Sequence, residues 1–125
     1  MAKEFRIPQN ATFKQISECL ATCSNQMASV SEKVGVYKAD VALKETALKR
    51  AFARATVKHS GQKNAALTKA MADLDPGVIK AQDEYDGANA VFIIAKGELD
   101  AWECQFVALR KMVSIREIEL KGNIG

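Results

Sequence analysis

The stretch Asp75–Leu120, DPGVIKAQDEYDGANAVFIIAKGELDAWECQFVALRKMVSIREIEL, decides the fold. Taken every three and four residues it reads Val78, Ala81, Tyr85, Ala88, Phe92, Ala95, Leu99, Trp102, Phe106, Leu109, Val113, Arg116 and Leu120. That alternation is a heptad seam, the mark of a long helix lying lengthwise against another helix. Arg116, near the end, interrupts it. The same phase recurs upstream through Phe13, Ile16, Leu20, Cys23, Met27, Val30, Val34, Tyr37, Val41, Lys44, Leu48, Ala51 and Ala55. Two long helices of nearly equal length, each with one apolar stripe, therefore make up most of the chain.

Composition agrees with an all-α fold. A chain of 125 residues is one domain by length. It is rich in alanine and poor in aromatics, which favours helix over sheet because Ala, Leu, Lys and Glu lose little on entering a helix. The longest apolar run, Ala90 to Ala95, is far short of the roughly 18 residues a membrane span needs, so no membrane segment is expected. The opening Met-Ala-Lys-Glu-Phe-Arg leads into no apolar core with a small-residue cleavage site, so no signal peptide is expected either. Cys19, Cys23 and Cys104 are odd in number and form no C-x-x-C pair. They read as small hydrophobes in a reducing cytoplasm.

Local signals set the boundaries. Residues 1–11 form an arm, in which Pro8 and Asn10 discourage helix. Thr12-Phe13-Lys14-Gln15 fits a capping box directly ahead of the first seam residue. The first long helix is expected over 12–59, stopped by Ser60-Gly61, with a possible irregularity in the Ser/Thr/Asn-rich span Thr22–Ser31. Asp40 and Glu45 precede Lys44 and Lys49 at the favourable i,i+4 spacing. Asn64 caps a short helix over 64–73, with Leu67, Ala70, Met71 and Leu74 on one side. Asp75-Pro76 starts the second long helix, 75–121, since proline suits the first helical position, where its missing N–H would be unpaired anyway. Gly87 and Gly97 fall inside it, marking either close approach of another backbone or tolerated surface glycine.

The expected architecture is thus a long antiparallel two-helix hairpin with a short linking helix at the tip. At 1.5 Å per residue, a helix of about 45 residues is roughly 65–70 Å long. Two helices alone do not surround such stripes. Further apolar residues flank the seam: Val36, Leu43, Ala47 and Phe52 on the first helix, and Val91, Ile94, Ile115 and Ile118 on the second. A stripe this wide predicts assembly into a helical-bundle homo-oligomer, either a dimer or a ring of hairpins, with Leu43, Ile94, Trp102, Ile115 and Ile118 as interface positions.

The net charge of +3 conceals segregation: nine Lys or Arg against two acids from Lys33 to Lys69, then eight acids against two Lys from Asp73 to Glu103. Arg50, Arg54 and Lys58 follow at i,i+4, with Lys49, His59, Lys63 and Lys69 close by in the chain. Such a stripe can track a phosphate backbone, which rewards charge without base contacts. Its competitor is pairing with Asp75, Asp83, Glu84 and Asp86, which an antiparallel hairpin sets opposite. The acidic group itself reads as a solvated or salt-bridged face and not a metal site, since the lone His59 has no glutamate three residues before it. Cys19 and Cys23 share a helix face, yet nothing completes four zinc ligands. Trp102, Tyr85 and Phe52 read as packing residues before base-stacking ones. No nucleophile–base constellation or phosphate loop appears, so neither an enzyme nor a cofactor is expected.

Ala47-Leu48-Lys49-Arg50, the Ser60-Gly61 turn after a basic helix end, and the acidic Ala72-Asp73-Leu74-Asp75 ahead of a long helix form one ordered set. With Leu99-Asp100-Ala101, Leu109-Arg110-Lys111 and Ile115-Arg116, the set over residues 36–118 resembles the small recombination mediators of T-even-like phages. That resemblance implies a homo-oligomeric ring in the host cytoplasm that binds single-stranded DNA. It also implies contacts with a recombinase, which the protein helps to load, and with the single-strand-binding protein. Lys49, Arg50, Arg54, Lys58 and Lys63 fall in the corresponding basic region. The chain departs from the pattern in its shorter loop after Gly61 and its few aromatics, which weakens base stacking. The alternative reading is a protein-interaction module without nucleic-acid binding: a structural phage component, an adaptor or an inhibitor of a host defence system.

Overall fold

The computed structural model describes residues 12–124, with side chains described to position 122; the proposed arm, 1–11, lies outside them. The described residues form α1 (Phe13–Lys58), α2 (Ala65–Asp73) and α3 (Pro76–Ile124), with no strand among them. α1 packs against α3 as a hairpin, and the short α2 lies between them in the chain.

Each boundary has a local cause. The capping box closes reciprocally: Gln15 N–H donates to Thr12 Oγ1 at 3.2 Å, and Thr12 N–H donates to Gln15 Oε1 at 2.9 Å. α1 then runs unbroken through Thr22–Ser31, with the Thr22 hydroxyl donating to Glu18 O. It ends at Lys58, one residue before the expected 59, and not on a left-handed glycine, for no described glycine has positive φ. The Ser60 hydroxyl and N–H instead both donate to Val57 O, which satisfies a carbonyl the helix end leaves open. Asn64 Oδ1 accepts from Leu67 N–H at 2.8 Å and starts α2. Asp75 Oδ1 accepts from Gly77 N–H at 2.9 Å and starts α3 with Pro76 in the first turn.

The chain divides into two compact units. In the first, described residues up to Glu32 pack with those from Gly97 onward. Its core is Ile16, Cys23 and Leu109, each fully buried, with Leu20, Trp102, Phe106 and Val113 packed against it. These seven are seam residues; Cys19 and Met112, which also pack against the cluster, lie beside the seam. In the second unit, Lys33–Lys96, the core is Ala51, Ala55, Ala72 and Val78, with Leu48, Phe52 and Ala81 against it. Three of the four buried side chains in this cluster are single methyl groups.

That alanine core corrects the expected orientation of α2. The helix docks through Ala72, which is fully buried, with Met71 half-buried, while Leu67, Ala70 and Leu74 are exposed. Against Ala51 and Ala55 a methyl group permits the closest helix approach, so the small residue is the one drawn inward. A second correction concerns the thiols. Cys23 is buried and Cys19 half-buried, as small hydrophobes are, but Cys104 is exposed.

Gly87 and Gly97 stand in open space, with nothing within 4 Å of where a Cβ would sit. They are surface glycines. Among the described residues no helix is long and apolar enough to cross a membrane.

Candidate nucleic-acid interface

The helical spacing of Arg50, Arg54 and Lys58 places them along one side of the last turns of α1, beside the buried Ala51 and Ala55. All three are exposed, as are Lys49 ahead of them and Lys63 in the connection that follows. Their electrostatic surroundings differ. Lys49 Nζ lies 3.3 Å from Glu45 Oε1, the expected i,i+4 pair, although both side chains remain well exposed. Lys58 Nζ donates to Asp75 Oδ2 at 3.1 Å while keeping 66% of its side chain exposed. Arg50, Arg54 and Lys63 make no ion pair with any described residue.

Asp75 is the acid from beyond α1 that engages this basic stripe. Its carboxylate is 12% exposed and also takes His59 Nε2 at 3.3 Å. The Lys58 hydrogen bond, then the Gly77 N–H, hold its carboxyl below the ordinary aspartate range, against an opposing push from partial desolvation. The other acids set opposite the basic stripe behave differently. Asp86 accepts from Gln82 Nε2 at 2.9 Å, one turn away on its own helix. Asp83, Glu84 and Asp86 form no ion pair with described residues. Segregated charge is therefore neutralised at one point and left open along Arg50 and Arg54.

On the other side of α1 from Arg50 and Arg54, about 200° round the helix, lies a groove of about 530 Å³, formed by the last turns of α1, the connection and α2. Phe52, Thr56, Gln62, Asn64, Thr68 and Lys69 line it. Sequence reading placed Phe52 beside the seam and Lys69 among the basic residues. It missed their juxtaposition, for no pattern in 60–64 fixes the path of the connection.

The positions expected at an oligomer interface are found in two environments. Leu43 and Ile94 are 70% and 72% exposed, and Ile115 and Ile118 are also exposed. Trp102 is half-buried against the Ile16, Cys23 and Leu109 cluster. No group of three or more His, Cys, Asp or Glu side chains among the described residues is arranged to hold a metal ion. Comparison with protein-family models, with curated proteins and with solved structures finds no match.

Proposed function

We propose that the protein binds single-stranded nucleic acid as a homo-oligomer, in the manner of a recombination accessory that helps to load a recombinase. The observation that carries this reading is the Arg50–Arg54 pair, which is exposed, aligned on one helix side and without a carboxylate partner among the described residues. Unneutralised guanidinium groups one turn apart suit successive phosphates, because the planar fork donates two parallel hydrogen bonds to each. Lys58 and Lys63 extend the cationic track, and Lys49 adds a screened contribution beside Glu45.

Assembly into several copies is supported by burial. Nine apolar residues are buried among the described residues, whereas fourteen large apolar side chains are more than two-fifths exposed. Apolar exposure on that scale is what a second copy covers. Repetition of a modest basic patch around an oligomer then raises overall affinity by avidity.

The test is salt-titrated binding of labelled single-stranded DNA, run beside a mass measurement by sedimentation. For single strands, log affinity falls with log salt at about 0.7 per phosphate neutralised, so Arg50→Ala with Arg54→Ala lowers the slope by roughly 1.4. Lys58 is left in place because its ammonium also holds Asp75. The oligomer mass stays unchanged. Equal affinity and slope in the double variant refutes the reading.

The exposed Ile94, Ile115 and Ile118 favour a second reading, a protein-interaction module that captures a partner through those side chains. No retention on single-stranded DNA at moderate salt, with partner capture lost on Ile94→Glu, decides for it.

A further inference from the structure

We propose that the groove lined by Phe52, Gln62 and Lys69 receives one unstacked base of the bound strand, so that the protein holds bases as well as phosphates. The inference rests on the single-strand-binding reading above and deepens it.

The groove has the size and chemistry this requires. Its volume of about 530 Å³ falls within the roughly 300–1,000 Å³ of small-molecule clefts, which pair an apolar lining with a few placed polar groups. Phe52 packs against the Ala51, Ala55, Ala72 and Val78 cluster and also lines the groove. A ring supported from behind and reached from the front is a stacking platform that needs no ordering when a base arrives.

The polar rim suits a base edge. The Thr56 hydroxyl donates to Phe52 O at 2.8 Å and the Thr68 hydroxyl to Asn64 O at 3.2 Å, which leaves their oxygens as acceptors. Asn64 Oδ1 is taken by the cap of α2, so its NH₂ is the group left to donate. The half-buried Gln62 amide makes no hydrogen bond with any described residue and offers both donor and acceptor.

Charge selects a nucleotide over a neutral guest. Lys69 is among the lining residues, no carboxylate is, and the exposed Lys63 sits one residue from Gln62 in the connection. These ammonium groups supply positive charge for the phosphates that flank the inserted base.

The experiment uses the full chain and two fluorescein-labelled probes of equal length and charge: a dT oligonucleotide and the same backbone with abasic sites throughout. Stacking of one base on an aromatic ring predicts that dT binds about tenfold more tightly than the abasic strand at fixed salt. Phe52→Leu abolishes that preference while the abasic affinity, the salt slope and the helical circular dichroism stay as in the parent. Should Phe52→Leu lose its helical signal, Gln62→Ala, outside the packed cluster, takes its place and reduces the preference severalfold. Lys69→Ala weakens both probes together. Equal binding of dT and abasic strands by the parent overturns the base site and leaves phosphate binding intact. A full dT preference in folded Phe52→Leu overturns it as well. Binding of neither probe overturns the single-strand reading itself, and the base site with it.

Discussion

Lys58 Nζ and Asp75 Oδ2 meet at 3.1 Å, so that the last residue of α1 holds the residue that caps α3, seventeen positions on. One carboxylate thus has two tasks. One oxygen starts a helix through Gly77 N–H, and the other receives Lys58 and His59.

The ion pair can be separated from the cap by pH. The folded state holds the Asp75 carboxyl below its ordinary value, mainly through Lys58 and then through Gly77 N–H. A depressed carboxyl contributes stability that is fully present above the unfolded value near 3.9 and is lost as pH falls through the lower folded value. Asp75→Asn keeps a good capping residue and removes the charge. Thermal melts at pH 7 should show the variant less stable than the parent, with the gap narrowing as the pH falls below the ordinary carboxylate range. A gap that does not narrow with falling pH means the carboxylate charge is not what the clasp uses.

Gly87→Ala and Gly97→Ala should each raise stability by about 0.5–1 kcal/mol, the helical cost of glycine relative to alanine. No described atom lies within 4 Å of either new methyl group. Ten positions apart on one helix, the two gains should add in denaturant titrations. Loss of stability at either site would show that another copy's backbone passes close there.

The two leucines Leu109 and Leu43 should answer differently to truncation and charge. Leu109 is fully buried in its unit, so Leu109→Ala should cost about 2–5 kcal/mol whatever the protein concentration. Leu43 is 70% exposed, and Leu43→Glu should leave the helical signal intact. Under the assembly proposed above it lowers the sedimenting mass to that of a single chain. Unchanged mass removes Leu43 from the interface.

Thiol labelling should resolve the cysteines. Cys104 is exposed and should be modified by a chromogenic disulfide reagent at once. Cys23 is buried, and desolvation first, then the neighbouring Cys19, push its thiol up, so it should react on the timescale of unfolding. Simultaneous rapid labelling of Cys23 would mean that the Ile16 and Leu109 cluster opens far more easily than its packing implies.

The fold was legible because burial follows the heptads. Ile16, Cys23 and Val30 are spaced by sevens and are all buried, as are Ala51, Ala55, Val78, Ala95 and Leu109 on the same two stripes. Where the seam reaches the ends, the pattern loses its grip: Phe13 and Leu120 are exposed. Arg116 keeps its seam position half-buried, with its guanidinium 3.3 Å from Glu119. Caps were equally legible, since Thr12, Asn64 and Asp75 act within three residues of themselves.

The site was less so. Charge spacing identified Arg50, Arg54 and Lys58 as a stripe but not which one an acid would engage, because that depends on how the chain travels from Ser60 to Asn64. The same ignorance hid the groove, whose lining comes from three stretches that periodicity treats separately. Leu67 and Leu74 misled for a related reason. Hydrophobicity ranks them above Ala72, whereas the room left beside Ala51 and Ala55 ranks them below it.

A helix seated on methyl groups is held by proximity and little buried oil. Lifting α2 from its alanines uncovers far less hydrocarbon than parting Ile16 from Leu109, so it is the cheaper excursion. Amide hydrogens of Ala65–Asp73 should therefore trade with deuterium before those of the long helices.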